Sequence, residues 1–140
     1  MASIRKEIST KARLADVWAA LRDVGALHTR LVPGFVTDTR LESGARIVTF
    51  GNGMVVRERI VTIDEDEHRV VWSAIGNPLT HHNASAQALA NVRGGTMVVW
   101  IADLLPDEAT ATIASMMEQG ATIMKQTLDR LADEKTKSVA

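Results

Sequence analysis

The sequence RIVTFGNGMVVRE, residues 46–58, carries the strongest structural signal in the chain. Apolar and other residues alternate on both sides of a Gly-Asn-Gly turn, a pattern that is typical of a β-hairpin. If Phe50 pairs with Met54 across the turn, Arg46 falls opposite Glu58 on the neighbouring strand. The hairpin therefore predicts one arginine and one glutamate side by side on a face that is otherwise apolar.

The alternation continues beyond this hairpin and predicts five antiparallel strands within residues 46–104. We expect Ile60 to pair with Val70, which places Glu58 beside Trp72. One face of such a sheet is buried, and a bulge would exchange the two faces beyond it. We expect at least one bulge. The face predicted to be buried contains Arg46, Val48, Phe50, Met54, Val56, Glu58, Ile60, Val70, Trp72, Ala74, His82, Ala84, Ala86, Ala88, Val98, Trp100, Ala102 and Leu104.

The later pairings depend on two further turns. A turn at Asn77-Pro78-Leu79 would place His82 opposite Ala74. The same turn would place Ala84 opposite Trp72. A loop over residues 91–95 would bring the next strand alongside, with Trp100 beside Ala86 and Ala102 beside Ala84.

Shorter elements precede the predicted strands. Thr10 has the chemistry of a helix N-cap, and Leu14, Val17, Trp18 and Leu21 follow it at helical spacing. We interpret Trp18 as the core anchor of this helix. In chain order, we expect a strand over residues 3–9, a helix over 11–22, a short helix over 24–31 and a strand over 35–42.

A long helix follows the last strand. Pro106 and the acidic residues after it are typical of a helix start, and apolar residues recur at helical spacing as far as Leu131. A helix of more than about 20 residues, at about 1.5 Å per residue, would cross the whole sheet. Gly120 lies in its middle, where a glycine either permits close packing or leaves room for a ligand. We expect the polar residues 133–140 to form a frayed tail.

Composition limits the class of protein. The 140 residues are 46% hydrophobic and 24% charged, which predicts a single globular domain over 1–140. The net charge of −1 argues against a dedicated nucleic-acid surface. The chain has no cysteine, which excludes disulfides and thiolate chemistry. It shows no apolar signal region and no apolar run near the ~20 residues of a membrane span, so we expect a cytoplasmic protein.

Several short stretches carry a family resemblance: Ala15-Asp16-Val17-Trp18, Gly44-Ala45-Arg46 leading to Phe50, residues 53–58, residues 64–72 and Thr96-Met97-Val98-Val99-Trp100. With the order of elements, they resemble the START-like superfamily, also called the helix-grip or SRPBCC group. The resemblance implies an α+β fold, in which a curved antiparallel sheet of about seven strands wraps around a long C-terminal helix. Two short helices follow the first strand, and a hydrophobic cavity lies between sheet and helix.

Arg46 and Glu58 are the first candidates for chemistry. They form either a structural ion pair or a polar handle in an apolar cavity, where Arg46 would bind a carboxylate, enolate or phenolate oxygen and Glu58 would orient it or move a proton. His82 is the third candidate, as an acid or base or as a hydrogen-bonded wall residue. No metal site is expected, because the vicinal His81 and His82 point to opposite sheet faces.

A second set of residues is predicted to contact a ligand. Trp72 and Trp100 face small alanines, and such pairs either pack as ordinary core or leave space for a flat apolar molecule. His28, on the second short helix, lies where the resemblance places the cavity mouth. The predicted ligand-binding residues are Trp72, Trp100, Phe50, Val56, Ala84, Ala86, His28, Met117, Gly120 and Met124.

Three functions stay open, because the family includes polyketide cyclases, lipid-transfer domains, hormone-binding proteins and chaperone cofactors. The first is a polyketide cyclase- or dehydrase-like enzyme that acts on an enolisable carbonyl compound. Glu58 or His82 would be the acid or base, Arg46 would stabilise negative charge, and no cofactor would be needed. The second is a non-catalytic carrier or sensor of a lipid or polyketide-like ligand.

The third function is a protein-interaction module of the chaperone-cofactor kind, which would expose an apolar patch. The predicted outer face carries Arg57, Arg59 and Arg69, and this polar character counts against it. The expected partner is a small hydrophobic molecule. We expect no nucleic acid and no membrane span, and a homodimer stays open.

Overall fold

The fold is described from a computed structural model. It covers residues 1–76 and 78–139, without the side chains of residues 75, 138 and 139. Within this part of the chain the strands are β1 (Ala2–Thr10), β2 (Val36–Glu42), β3 (Ala45–Phe50), β4 (Val55–Asp64), β5 (Arg69–Ile75), β6 (His81–Ala90) and β7 (Thr96–Leu105). The helices are α1 (Leu14–Arg22) and α2 (Thr110–Val139), with a π-helical turn Leu27–Leu31 and a 3-10 turn Asp107–Ala109.

All seven strands of this part of the chain join one antiparallel sheet in the order β1-β7-β6-β5-β4-β3-β2. The sheet curves around α2, whose buried Met117, Met124 and Leu128 belong to the same core as Val48 and Val98 on the strands. The alternation of apolar and polar side chains gives each strand one core face, and the 3.6-residue period of α2 supplies the facing stripe. The α+β helix-grip architecture that the sequence predicts is confirmed.

The first hairpin has the predicted register. Phe50 donates its backbone N–H to Met54, and Arg46 lies directly opposite Glu58. The last hairpins also agree, since Trp72 pairs with Ala84. The parity of side chains is therefore correct over most of the sheet.

The β4–β5 pairing was predicted two residues out of register. Ile60 pairs with Trp72 instead of Val70, and Glu58 pairs with Ala74 instead of Trp72. The ladder shifts between Ile60 and residue 62, where a bulge lies. At the other end of this hairpin, Asp64 pairs with Arg69. If that register ran on without the bulge, Trp72 would lie on the face opposite Glu58. The bulge restores the parity, which is why both side chains still face the core.

Both short helices differ from their predicted bounds. α1 begins at Leu14 after Arg13, and Thr10 is no helix cap: it ends β1, paired with Thr96. Its hydroxyl instead donates to Asp129 Oδ1 at 2.6 Å, which ties β1 to α2. The second piece is confined to the π-helical turn, and β2 starts at Val36 because Pro33 and Gly34 turn the chain before it.

The long helix differs at its C-terminal end. The segment predicted as a frayed tail, 133–139, continues α2, and residue 140 lies outside the described residues. The turn expected at Asn77-Pro78-Leu79, between β5 and β6, includes Asn77, which also lies outside the described residues. In the solvated acidic turn after β4, the exposed Glu65 accepts hydrogen bonds from Trp18 Nε1 at 2.7 Å and from Arg22. Trp18 is 7% exposed, as expected of a core anchor.

Candidate functional site

A cavity of about 380 Å³ lies between the sheet and α2. Its volume falls at the small end of the ~300–1,000 Å³ range of small-molecule sites. Most lining side chains are apolar, because the alternating strands send their apolar face inward. The predicted residues that line it are Arg46, Phe50, Val56, Glu58, Trp72, His82, Ala84, Ala86, Trp100, Met117 and Met124.

The cavity opens beside two loops. Met54 and Val55 line it and are 40% and 63% exposed, so the tip of the β3–β4 hairpin borders the mouth. Gly76 and Pro78, which connect β5 to β6, also line the cavity and are exposed. A ligand would therefore enter between these two loops.

Two predicted ligand contacts are absent from the cavity wall. His28 is half-buried on the π-helical turn, where its Nδ1 hydrogen-bonds Thr39 Oγ1 at 3.1 Å. Gly120 is buried against two rings: a Cβ there would lie 3.1 Å from both Trp100 and Phe35. Of the two interpretations of Gly120, the structure therefore supports close packing of helix on sheet.

Several wall residues were missed by the sequence analysis. They come from the segment between α1 and β2, from the first residue of β2 and from the first turns of α2: Leu27, Leu31, Val32, Val36, Ile113 and Met116. Leu27 and Leu31 are four residues apart, so helical spacing places them on one face. Which way that face points depends on how residues 24–35 fold back over the sheet, and no local pattern encodes this.

Arg46 and Glu58 form the polar centre of the wall. Arg46 Nε donates to Glu58 Oε1 at 2.8 Å, and the two residues are only 4% and 7% exposed. Arg46 Nη1 also donates to the carbonyl of Val24 at 3.3 Å, and the guanidinium carbon lies 5.3 Å from the Trp72 ring centre. The contacts of Arg46 with Glu58, Val24 and Trp72 therefore fix the geometry of the pair without a ligand.

One nitrogen and one oxygen of this pair stay available. Within the described part of the chain, Arg46 Nη2 and Glu58 Oε2 form no hydrogen bond. Among the described buried residues, every polar side-chain atom that is enclosed has a hydrogen-bond partner. Both atoms must therefore border open space, and the space beside them is the cavity. They offer a ligand the N–H groups of Arg46 Nη2 and one acceptor, Glu58 Oε2.

His82 supplies the third polar group of the wall. The backbone N–H of Ala74 donates to His82 Nδ1 at 2.9 Å, so the neutral ring carries its proton on Nε2. Burial lowers the pKa of His82 below its usual value, and neighbouring His81 acts in the same direction, while Glu58 and Asp103 oppose it. The ring is therefore neutral at neutral pH, and its remaining donor is Nε2–H.

The described residues also bear on metal sites and membrane spans. No group of three or more His, Cys, Asp or Glu side chains there is placed to hold a metal ion. No described helix combines the length and the apolar character that a membrane span requires.

Fold and cavity together define a helix-grip protein of the START-like class. Residues 1–134 match the family model described as "Polyketide cyclase / dehydrase and lipid transport", so the chain belongs to that family. No curated protein matches the chain.

Solved structures share the fold. The protein XoxI from Bacillus cereus is 17% identical with a TM-score of 0.81, and the match covers 91% of this chain and 96% of that one. A protein from Thermobifida fusca is 27% identical with a TM-score of 0.70, covering 92% and 91%. A START superfamily protein from Mycobacterium smegmatis is 9% identical with a TM-score of 0.69, covering 94% and 97%.

Proposed function

We propose that this protein binds a small hydrophobic molecule that contains a carbonyl or aromatic group in the cavity between sheet and α2. The observation that carries the proposal is a mostly apolar cavity into which three fixed polar groups converge: Arg46, Glu58 and His82. Sites of this composition are typical of small-molecule binding, since apolar walls supply affinity and a few polar groups supply orientation.

The aromatic part of the wall favours a flat ligand. Trp72, Trp100 and Phe50 present ring surfaces to the cavity. On adjacent strands, small Ala84 pairs with Trp72 and small Ala86 pairs with Trp100. A ring placed between large and small neighbours would gain stacking and apolar contact without moving the strands. Burial of apolar ligand surface contributes about 25 cal/mol per Å² before the costs of association are subtracted.

Calorimetric titration with 2-acetylnaphthalene, a flat aromatic ketone, tests the proposal. We expect the native protein to bind it. Ala86→Leu should weaken binding about tenfold or more, because the added atoms occupy the cavity. The same substitution at exposed Ala90, at the end of the same strand, is the matched control and should leave binding unchanged. Equal effects of the two substitutions, or no binding by the folded native protein, would contradict the proposal.

An acid–base reaction on the bound carbonyl compound is the second candidate function, favoured by the geometry of His82. Glu58 Oε2 would accept a proton from the carbon next to the carbonyl. His82 Nε2–H and Arg46 Nη2 would stabilise the enolate oxygen, and return of the proton would complete the exchange. The resulting activity would be cofactor-free, as in a cyclisation or dehydration that begins with enolisation.

Deuterium exchange into the methyl group of 2-acetylnaphthalene, followed by proton NMR in deuterated water, separates enzyme from carrier. An enzyme should exchange this methyl faster than buffer does, and His82→Gln should abolish the excess rate while binding persists. A carrier should bind the ketone without exchange, and it should co-purify with a ligand that native mass spectrometry detects.

A further inference from the structure

The charges on the cavity wall cancel. Among the described residues that line the cavity, Arg46 and Glu58 are the charged ones, and they are paired at 2.8 Å. His82 is neutral, since its Nδ1 accepts the Ala74 N–H. The wall therefore presents the unpaired N–H groups of Arg46, one acceptor of Glu58 and one donor of His82, with no net charge.

The positive charge of Arg46 is already balanced. Two of its five N–H groups donate, to Glu58 and to the Val24 carbonyl, and the three that stay unpaired belong to a cation whose charge Glu58 neutralises. A ligand carboxylate would also meet Glu58 in a largely apolar space and lose its hydration, which is costly for an uncompensated charge.

From this arrangement we infer that the cavity selects an uncharged ligand whose polar end both accepts and donates hydrogen bonds, or accepts only, and that it rejects the matching carboxylate. A ketone, hydroxyketone, phenol or amide fits this description, and a free acid does not. The inference rests on the proposed function, because it specifies the ligand of the same site. Glu58 is the residue that determines this choice: it neutralises Arg46 and repels an incoming anion.

Calorimetry with a pair of probes that share one ring system tests the inference. 2-Acetylnaphthalene is neutral, and 2-naphthoate carries a carboxylate in the same position. At pH 7 the native protein should bind the ketone about tenfold or more tightly than the carboxylate. This comparison needs no variant, so it does not depend on the folding of one. Equal binding, or tighter binding of 2-naphthoate, would overturn the inference while leaving ligand binding itself intact.

Glu58→Gln sharpens the test, because it leaves Arg46 unmatched in the cavity. The preference should shift towards 2-naphthoate by about tenfold or more. Glu42→Gln is the matched control: it removes the carboxylate that pairs with Arg57 outside the cavity and should leave the preference unchanged. If Glu58→Gln does not fold, Arg46→Gln/Glu58→Gln restores neutrality and should keep the native preference for the ketone.

Three results would count against the inference. An unchanged preference in folded Glu58→Gln, or an equal shift in both glutamate variants, would overturn it. So would a reversed preference in the double variant. Failure of the native protein to bind either probe would contradict the proposed function, and the inference would fall with it.

Discussion

Two arginine–glutamate pairs lie in the β2–β3–β4 part of the same sheet, on opposite faces. Arg46 and Glu58 join β3 to β4 at 2.8 Å, with side chains 5% and 9% exposed. Arg57 lies next to Glu58 in sequence, so it points to the outer face, where it pairs with Glu42 at 3.1 Å with side chains 43% and 41% exposed. The residue types are the same, but only the inner pair borders the cavity.

Adjacent residues of a strand point to opposite faces, so a shift of one position moves a charge from the solvated surface to the cavity wall. In water, an ion pair gains little because both charges are already hydrated and screened. Inside the sheet, each charge has lost its water and depends on the other. The inner pair is therefore costly to break, and in our proposal it orients the ligand, whereas the outer pair does neither.

The largest expected effect comes from breaking the inner pair on one side. Arg46→Met should lower the free energy of unfolding by about 3–5 kcal/mol, because it leaves the Glu58 carboxylate buried without its cation. Urea unfolding followed by circular dichroism measures it. The matched variant, Arg57→Met on the outer face, should cost about 1 kcal/mol or less. Equal losses would remove the energetic distinction between the pairs.

Replacing both inner residues should have a smaller effect of the opposite sign. Arg46→Met/Glu58→Leu removes both buried charges, so the free energy of unfolding should equal the native value or exceed it by up to about 4 kcal/mol. Binding of 2-acetylnaphthalene should nevertheless weaken, because the orienting groups are gone. If stability rises and binding stays unchanged, the inner pair is purely structural, and its assignment to the site is wrong.

A pH-dependent effect separates the vicinal histidines in the same way. Burial holds the pKa of His82 below 6.5 in the folded state, so below about pH 6.5 the unfolded chain binds more protons at this residue. Stability should therefore fall as the pH drops below this value, and level off below the folded pKa. His82→Gln should reduce this dependence between pH 7 and 5, and His81→Gln, at an exposed position, should reduce it much less. Identical unfolding profiles of the two variants would count against the neutral, buried His82.

The smallest expected effect concerns the coupling across the outer pair. A double-mutant cycle of Arg57→Ala and Glu42→Ala should give an interaction energy of about 1 kcal/mol or less, which falls further in high salt. The corresponding cycle of Arg46 and Glu58 should give a larger coupling that salt hardly changes. A salt-insensitive coupling in the outer pair would show that exposure does not determine the difference.

The sequence predicts most of what depends on local periodicity. The β3–β4 hairpin follows from alternation about a glycine turn, and this alone places Arg46 opposite Glu58. The bulge after Ile60 has no such signal, because the local alternation does not mark where one strand gains an unpaired residue. Trp72 and Glu58 share the inner face only because the bulge shifts the register by one residue and so offsets the register set at that turn.

Long-range contacts explain the remaining differences. Thr10 has the chemistry of a helix cap, but its hydroxyl bonds Asp129, 119 residues away, and no local pattern reveals that partner. Gly120 is explained by Phe35 and Trp100, which pack on it and are distant in sequence. The apolar cavity wall between α1 and β2 was missed for the same reason, since its orientation depends on tertiary packing.

Methyl NMR of the native protein with 2-acetylnaphthalene tests the central claim, ligand binding in this cavity, most directly. The methyl groups of Ala84, Ala86, Met117 and Met124 line the cavity, whereas those of Val71 and Val99 do not. The account predicts that the ketone shifts the four cavity methyls and leaves the two valines unchanged. Shifts confined to the valines or to methyl groups elsewhere outside the cavity, or no shifts at saturating ketone, would contradict it.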